Sequence, residues 1–441
     1  MEVATTAQVI GTWILLALYM SVILYFVIKG ARKVKNISDY ALGNVFFSPV
    51  AVGLSLAAAM TSAATFVINP GLIANFGISG FISYGLALPL ATVISLVVLS
   101  RSFRKYGQTV KALTLAQWIG NRYNSKAYSL FMAFLALLQI TFIVLILVAL
   151  VNVISAAINV SPMVVLPAII IFVFGYMMYG GANSMVYTNT IQAVVMLIVA
   201  CILIGSGFSN FSDGIGGFVD KLKSIDPNLV SVTNPKSPLF RSLYEIIFAQ
   251  VVVGAAIVVQ PHIITKSLLL KSESHVNKFL ITAVIVELLF FFVVFAGLYA
   301  RIEFPDLMVD GAAIKNDAII PAYVVKIFGG GLLATGAGLL VILGLIAAGM
   351  STLEGLIQSV STTITSDIIK PLFGKNIKNE GSLIKINKGA IIMLAVAAYF
   401  ISVAQITDPR LSVAILAQNG VYAFFSAAFI PVIFGIFLKD V

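Results

Sequence analysis

Two adjacent hydroxyl side chains in the middle of a long apolar segment are the groups in this chain best placed to do chemistry. Ser351 and Thr352 close the run Ala-Gly-Met-Ser-Thr that begins at Ala348. A buried hydroxyl without a partner costs about 1–3 kcal/mol. A hydrogen bond to a carbonyl of the preceding turn would satisfy each hydroxyl. So would a small hard cation, which binds several hydroxyl and carbonyl oxygens. The pair by itself leaves both interpretations open.

The composition places these hydroxyls in a membrane. The 441 residues are 60% hydrophobic and 10% charged, with a mean hydropathy of +1.07, which is typical of a polytopic membrane protein. A single cysteine, Cys201, excludes an intramolecular disulfide, and His262 and His275 have no partners at zinc-ligand spacing. The sequence has no Gly-x-x-x-x-Gly-Lys-Ser/Thr phosphate loop. We therefore expect any transport to be driven by an ion gradient and not by nucleotide hydrolysis.

Eleven apolar segments can cross a bilayer, and the basic residues between them orient the chain. Placing the amino terminus outside puts most of the 27 Lys and Arg on the cytoplasmic side, with Lys266, Lys271 and Lys278 in one loop. The net charge of +10 therefore indicates membrane orientation and not nucleic-acid binding. We expect a multi-pass protein of the cell membrane with a cytoplasmic carboxyl terminus. The first segment lacks a signal-peptide cleavage site, so we expect it to be retained. The segments are 8–29, 46–74, 79–101, 127–157, 162–179, 186–208, 240–265, 277–300, 328–360, 388–406 and 411–437.

Leaving the first segment aside, the other ten divide into two sets of five. Residues 1–45 then form a peripheral transmembrane helix with a cytoplasmic loop, and 46–208 form a first repeat. An extracellular loop, 209–239, leads to a second repeat, 240–441. Two halves of five spans run through the bilayer in opposite directions, as an inverted repeat requires.

The first span of each half carries helix breakers. In the first half, Ala63-Ala64-Thr65 leads to Asn69-Pro70-Gly71, a combination that stops helices. In the second, Gly254 and Gln260-Pro261-His262 interrupt a helix rich in Val and Ile. Broken helices expose backbone carbonyls and helix-dipole ends near the middle of the membrane. Such breaks are places where ions and solutes can bind, although proline kinks without function are also common in membrane helices.

Three motifs give the chain a resemblance to a known family. Residues 55–66, followed by Asn69-Pro70-Gly71, resemble the first core helix of the sodium:solute symporter family, and residues 348–352, ending in Thr365-Ser366-Asp367, resemble its eighth. Tyr179-Gly180-Gly181 with Tyr187-Thr188-Asn189 and Gln192 resembles the family signature Tyr-x-Gly-Gly … Trp-Thr-Asp-x-x-Gln. The resemblance implies an all-α polytopic membrane protein with about 11 transmembrane helices. It also implies a leucine-transporter-type five-plus-five inverted repeat, preceded by one extra N-terminal helix.

The resemblance implies a sodium site between the first and eighth core helices. Its ligands would be the carbonyls of Ala58, Thr61 and Ala348 and the hydroxyls of Ser351 and Thr352. Five oxygens without a carboxylate make a weak and reversible site, which suits an ion that leaves in every cycle. Sodium is the only metal expected, as the coupling ion, and no organic cofactor is expected.

The resemblance also indicates a class of solute. Family members that carry sugars surround them with long polar side chains, whereas the matching positions here, Thr65, Tyr84 and Ala87, are too apolar for a polyol. The Gln260-Pro261-His262 stretch resembles the pantothenate and short-chain monocarboxylate branches, as do residues 225–230 and Pro305-Asp306-Leu307. No Lys or Arg is expected deep in a span, so sodium and half-helix ends would meet a carboxylate. His262 is equally compatible with a packing or gating role. The candidate solute contacts are Thr65, Asn69, Tyr84, Gln260 and His262.

Three residues depart from the family pattern or from expectation. Asn189 stands where the signature has Asp, on the expected ion-release path, although a helix-capping role is equally compatible. Glu287 and Glu354 lie within apolar spans, where carboxylates are expensive and indicate function. Each is a candidate for a proton or second-ion site, and the alternative is a neutral Glu bonded to a neighbouring helix. Glu354 follows Thr352 by two residues and so points about 200° away from it.

We expect a sodium-coupled symporter, not an enzyme, that imports a small organic solute by alternating access. Pantothenate and short monocarboxylates are the first candidates, and proline or another small solute is the alternative. A membrane sensor that keeps the fold without transport is a rival from another class, and a channel is a weaker one. The expected partners are the solute, Na⁺ and the lipid bilayer, without nucleic acid or an obligate protein partner. The chain ends at Leu438-Lys439-Asp440-Val441, where family members commonly continue with further spans, so we expect a core without them.

Overall fold

The structure is a computed structural model that describes residues 4–110, 112–270, 272–309, 311–374, 380–408 and 413–438, with side chains except at 106–110 and 380. Lys271 and the first and last three residues lie outside the described residues. The described chain is almost entirely helical. Its α-helices are α1 Thr6–Ala31, α2 Ile37–Leu42, α3 Pro49–Met60, α4 Asn69–Phe76, α5 Ile78–Phe81, α6 Leu88–Val110, α7 Leu115–Arg122, α8 Lys126–Ala136, α9 Ile140–Ile158, α10 Pro162–Gly205, α11 Gly214–Ile225, α12 Gln250–Ile257, α13 Pro261–Ile264, α14 Val276–Phe292, α15 Ala296–Glu303, α16 Ile319–Ile327, α17 Gly331–Thr363, α18 Lys370–Phe373, α19 Glu380–Thr407 and α20 Val413–Phe437.

Short segments of other geometry connect or extend these helices. Four are π-helical: Ala64–Ile68, Ile82–Ala87, Tyr244–Ala249 and Ile364–Ile369. Seven are 3₁₀ turns: Leu137–Gln139, Phe208–Phe211, Pro227–Val230, Thr265–Leu269, Glu273–His275, Val293–Phe295 and Asn316–Ala318. The strands β1 (Met308–Val309) and β2 (Ala312–Ala313) form an antiparallel hairpin in which Met308 pairs with Ala313.

Among the described residues, eight helical stretches are long and apolar enough to cross a membrane, and two bent pairs bring the number to ten. The predicted number of eleven treats residues 162–179 and 186–208 as separate spans. In the structure α10 runs through both, but Gly181 has φ 65° and ψ −169°, which breaks the helix. At 1.5 Å per residue, the parts of α10 before and after Gly181 are about 28 Å and about 36 Å long, each enough to span a bilayer. The eleventh span therefore stays a prediction that depends on this break.

The first bent pair joins α3 to residues 64–76 with a bend of 53°. Ser48 caps α3 by accepting a hydrogen bond from the Ala51 amide, and Pro49 starts the helix at a position that needs no amide donor. The break lies at residues 61–63, about two turns before Asn69-Pro70-Gly71, where the sequence predicted the helix to stop. Asn69-Pro70-Gly71 was expected to stop a helix and instead lies within one, because the wider π-helical turn before it absorbs the proline as the first turn of α4.

The second bent pair joins residues 244–257 to 261–269 with a bend of 55°. Its break falls at residues 258–260, immediately before Pro261, as the sequence predicts. Gly254 was also expected to interrupt this helix, but α12 runs through it. A side chain at Gly254 would approach the Leu88 carbonyl oxygen to 2.5 Å, so this glycine allows α12 to pack closely on α6.

The first broken span and the second half of the other are mostly buried, whereas residues 244–252 expose side chains such as Tyr244, Phe248 and Val252. α3 packs against α10, α14 and α17, and α17 packs along α10. The amino-terminal helix α1 packs on the outer side of α10 and exposes large apolar side chains, including Trp13, Leu18 and Tyr25. Exposed apolar side chains on membrane-spanning helices face lipid. The chain is therefore a multi-pass membrane protein with a closely packed interior.

Candidate functional site

The end of α3 leaves backbone carbonyls without helical partners, and hydroxyls from α17 reach them. The last carbonyls of any helix lack an amide donor from the following turn. The Ser351 hydroxyl donates to the Ala58 carbonyl at 2.6 Å, and the Thr352 hydroxyl donates to the Ala59 carbonyl at 3.1 Å. All four residues are buried. The break in α3 thus meets the Ser-Thr pair of α17 within the protein interior.

The positions of the two hydroxyls fit both interpretations of the pair, hydrogen bonding to the preceding turn and cation binding. Ser351 Oγ also lies 3.0 Å from the Ala348 carbonyl oxygen, and Thr352 Oγ1 lies 3.5 Å from the same atom. The hydroxyls therefore approach a carbonyl of their own preceding turn and carbonyls of the facing helix. Hydroxyl and carbonyl oxygens are suitable ligands for a hard monovalent cation. Four of the five predicted sodium ligands, Ala58, Ala348, Ser351 and Thr352, lie together here.

The fifth predicted ligand, Thr61, follows the end of α3 in extended conformation, with φ −94° and ψ 99°. Its hydroxyl donates to Glu287 Oε2 at 2.9 Å. Glu287 is fully buried on α14, and its Oε1 has no hydrogen-bond partner among the described residues. The Glu287 carboxyl group is thus connected to the predicted ion ligands through the Thr61 side chain. Its role as a proton or second-ion site stays a prediction.

All five predicted solute contacts line one cavity between the two broken spans. Thr65 and Asn69 come from the first broken span, Gln260 and His262 from the second, and Tyr84 from the π-helical segment Ile82–Ala87 that leads into α6. Ala87, expected at a matching position, does not line it. The cavity volume is about 110 Å³, room for about three or four water molecules. Its apolar wall includes Phe142, Leu145, Val253, Ile257, Phe291 and Phe425.

Several polar atoms in this cavity have no partner in the protein. Both ring nitrogens of His262 and the Oε1 atoms of Gln250 and Gln260 are buried and unpartnered among the described residues. An unmade hydrogen bond at a buried polar group costs about 1–3 kcal/mol, so such groups are usually satisfied by a protein group, an ordered water or a ligand. The described side chains that line the cavity include no Asp, Glu, Lys or Arg. The cavity therefore offers neutral hydrogen-bonding groups within apolar walls.

Two further glutamines line this cavity that sequence reasoning missed. Gln250 lies ten residues before Gln260 in the same broken span, and Gln418 lies on α20, where its amide donates to the Tyr84 hydroxyl at 3.3 Å. A polar residue inside an apolar span was the available signal for both. Gln418 could not be assigned from sequence alone because nothing local indicates that α20 faces the broken spans.

Glu354 faces α10 and not the predicted ion ligands. It accepts hydrogen bonds from Tyr176 at 2.6 Å, Thr188 at 2.5 Å and Gln192 at 3.2 Å, all on α10. This orientation agrees with the predicted angular offset from Thr352. Three donors from one helix leave the carboxylate well satisfied although it is fully buried.

Lys266 departs from its sequence prediction. It was expected in a cytoplasmic loop, yet it lies in the second half of a broken span and its side chain is only 1% exposed. Its ammonium donates to the Ser55 carbonyl at 3.0 Å and to the Ser55 hydroxyl at 2.8 Å. The bend before Pro261 turns the following segment toward α3, which carries Lys266 inward. A basic residue at the end of an apolar run ordinarily indicates the membrane boundary, so the sequence could not reveal this.

Asn189 connects the two buried charges. With its amide oriented to satisfy its neighbours, its nitrogen donates to Glu354 Oε2 at 3.2 Å and to Gln192 Oε1 at 3.0 Å. Its oxygen then accepts from the Lys266 ammonium at 3.1 Å. Asn189 lies inside α10 and is fully buried, so the helix-capping alternative is wrong. Its place on an ion-release path stays a prediction.

Similar proteins are known. Residues 40–441 match the sodium:solute symporter family. The chain is 25% identical to the sodium/pantothenate symporter of Escherichia coli strain K12, over 86% of this chain and 78% of that protein. It is also 25% identical to a sodium/proline symporter of Staphylococcus aureus, over 100% of this chain and 84% of that one. A solved structure described as the substrate-bound outward-open state of a Na⁺-coupled sialic acid symporter has a TM-score of 0.75 at 18% identity, covering 97% of this chain and 87% of that one. This likeness confirms the predicted fold.

Proposed function

The chain belongs to the sodium:solute symporter family, and we propose that it couples inward sodium movement to the import of a small carboxylate-bearing solute by alternating access. Pantothenate or a short monocarboxylate is the proposed class. The observation that carries the proposal is the meeting of Ser351 and Thr352 with the free carbonyls at the break of α3. Family membership supports sodium as the coupling ion, and it supports the proposal that the chain is a transporter and not an enzyme.

In the proposed mechanism sodium joins α3 to α17. The ion takes the carbonyls of Ala58, Thr61 and Ala348 and the hydroxyls of Ser351 and Thr352 as ligands. Each hydroxyl then turns its oxygen toward the ion instead of donating to a carbonyl. Sodium binding stabilises the outward-open state, and its release to the cytoplasm separates the two helices and frees the solute. A site of neutral oxygens releases its ion readily, which every transport cycle requires.

The cavity supports a solute with both a carboxylate and hydrogen-bond donors. The unpartnered oxygens of Gln250 and Gln260 need N–H or O–H groups, which pantothenate carries and acetate lacks. Because no cationic side chain among the described residues lines the cavity, the bound sodium supplies positive charge for the carboxylate. In the proposed mechanism the walls of this cavity, about 110 Å³ in volume, part as pantothenate enters, as alternating access allows. A relative named as a sodium/pantothenate symporter agrees with this proposal.

A sodium/proline symporter is the second candidate, because a relative with that name matches along the whole chain. The secondary ammonium of proline would also donate to the glutamine oxygens.

The same proposal includes a cell-membrane location, an outside amino terminus and a cytoplasmic carboxyl terminus. It further includes the division at residues 1–45, 46–208, 209–239 and 240–441.

The test is uptake of labelled pantothenate, acetate, pyruvate and proline into proteoliposomes, with and without an inward sodium gradient. The Ser351→Ala/Thr352→Ala double variant should lose sodium-driven uptake of whichever solute the wild type takes up. A matched control lies on the same helix: Ser361→Ala/Thr362→Ala removes an adjacent Ser-Thr pair ten residues further on. Loss of uptake in the control alone, or sodium-independent uptake by wild type, would refute the proposed ion site. Sodium binding without uptake of any solute would favour the sensor alternative.

A further inference from the structure

We propose that the ammonium of Lys266 fills a second cation position in the transport core, next to the proposed sodium site on which this inference rests. Because this cation is part of the protein and never leaves it, we call it a resident cation. It lies one helical turn from the sodium ligands, because Ser55 precedes Ala58 on α3 by three residues. The chain would thus provide one of two neighbouring cations itself. A single sodium ion would then be sufficient for each cycle.

The surroundings of Lys266 have the composition of a cation site. The ammonium has three protons, and three oxygens accept them: the Ser55 carbonyl at 3.0 Å, the Ser55 hydroxyl at 2.8 Å and the Asn189 amide oxygen at 3.1 Å. Carbonyl, hydroxyl and amide oxygens are also ligands that sodium accepts. The side chain is 1% exposed, so no water competes for these positions.

A buried anion compensates the ammonium through one intervening side chain. Asn189 accepts from Lys266 on one side and donates to Glu354 Oε2 at 3.2 Å on the other. Glu354 is held in turn by Tyr176, Thr188 and Gln192. Lys266 and Glu354 together are neutral, as a buried polar cluster requires. Without the ammonium, the cluster would keep a buried negative charge and three oxygens with a vacant centre.

The cluster joins the same helices that the proposed sodium site joins. Ser55 belongs to α3, Glu354 to α17, Asn189 to α10 and Lys266 to the second half of the other broken span. An ion at this position would therefore join α3 to α10 directly, and Asn189 would connect it to Glu354 on α17. The tethered ammonium performs this role at the Ser55 turn without leaving the protein.

The consequence is that shortening Lys266 should create a second sodium site. In Lys266→Ala the ammonium is gone, its volume is free, and the uncompensated Glu354 favours a cation. The double variant Lys266→Ala/Glu354→Gln has the same free volume without the negative charge. We expect it to bind no second ion. Lys278→Ala removes an exposed lysine and serves as the matched control.

The experiment measures the melting temperature of the purified full-length protein against sodium concentration, with choline keeping the ionic strength constant. Above saturation, each bound ion adds the same increment of stability per tenfold rise in concentration. The dependence of the melting temperature on log[Na⁺] should therefore be twice as steep in Lys266→Ala as in wild type and Lys278→Ala. In Lys266→Ala/Glu354→Gln it should return to the wild-type slope.

The outcomes separate this proposal from the proposed function. A wild type with no sodium dependence contradicts the sodium site itself. The melting temperature of wild type and of Lys266→Ala could instead depend on log[Na⁺] with the same slope, that of one bound ion. That result would contradict only the resident-cation proposal. A wild type with the slope of two ions also contradicts it, because a second position would then be open. A Lys266→Ala variant that stays unfolded at every sodium concentration counts against it as well, since sodium should replace the ammonium.

Discussion

Replacing Gln260 by Leu should stabilise the protein and weaken solute binding, two effects of opposite sign from one side chain. Gln260 is 2% exposed, and its Oε1 has no partner among the described residues. Leu has a similar volume and no polar atom, so the substitution removes a buried oxygen that no described protein group satisfies. Such a group costs about 1–3 kcal/mol. We therefore expect unfolding of the solute-free protein to become less favourable by a part of that amount.

The loss of solute affinity depends on what the solute donates to Gln260. A neutral N–H or O–H donor contributes about 0.5–1.5 kcal/mol and a charged one about 1.5–3 kcal/mol. At 1.4 kcal/mol for each tenfold change, removing the acceptor raises KM about 2- to 10-fold for a neutral donor such as those of pantothenate. For the ammonium of proline the increase is about 10- to 100-fold. The size of the effect thus distinguishes the two candidate solutes.

The assay is sodium-driven uptake in proteoliposomes, with KM for the solute and half-saturation for sodium measured separately, beside the melting temperature without solute. Gln139→Leu is the matched control, because Gln139 is 1% exposed with an unpartnered amide and does not line the cavity. It should gain stability and keep the wild-type KM. A Gln260→Leu variant with unchanged KM would refute the assignment of this cavity to the solute. A variant that loses stability would refute the claim that Gln260 is unsatisfied without solute.

Three further predictions concern the scaffold and its loops. Gly181→Ala should lower stability by about 1–3 kcal/mol, because Gly181 has φ 65° and a side chain there would meet Tyr40 at 2.9 Å; Gly175→Ala on the same helix, with open space, should not lower the melting temperature. Thr61→Val should lower the free energy of unfolding by about 1–3 kcal/mol, because it removes the hydrogen-bond donor to Glu287. Thr61→Val/Glu287→Leu should recover most of this loss in thermal unfolding. A Thr61→Val variant with unchanged stability would contradict the buried pairing. The hydrogen bond from Lys236 lowers the pKa of Asp226, in the loop between α11 and α12, to about 2. Because this pKa is depressed on folding, Asp226 stabilises the protein above its unfolded value of about 3.9, and the stabilisation disappears as the pH falls toward 2. The gap in melting temperature between wild type and Asp226→Asn should therefore narrow below pH 4 and stay constant between about pH 5 and 8.

Local sequence patterns were sufficient for most of the spans, and the family resemblance added five of the residues that line the cavity. The length of an apolar run must match the bilayer, and Pro261 removes an amide donor at its own position, so the second break follows from residues next to one another. Ser351 and Thr352 could be recognised because hydroxyls in an apolar run need oxygen partners. The first break was placed too late, since a π-helical turn can absorb Pro70 and the sequence does not specify where the helix widens.

What only the tertiary structure decided is which polar groups satisfy one another. The hydroxyls of Ser351 and Thr352 could be partnered within their own helix, and the chain alone did not show that the carbonyls of Ala58 and Ala59 lie opposite them. Lys266 has the sequence context of a membrane-boundary residue, yet a bend of 55° turns it against Ser55. Such pairings join residues more than 200 positions apart, and they depend on helix rotation and bend angle. Hydropathy and spacing determine that a segment crosses the membrane, but the direction in which each polar side chain points inside it is determined by the packing of all the helices together.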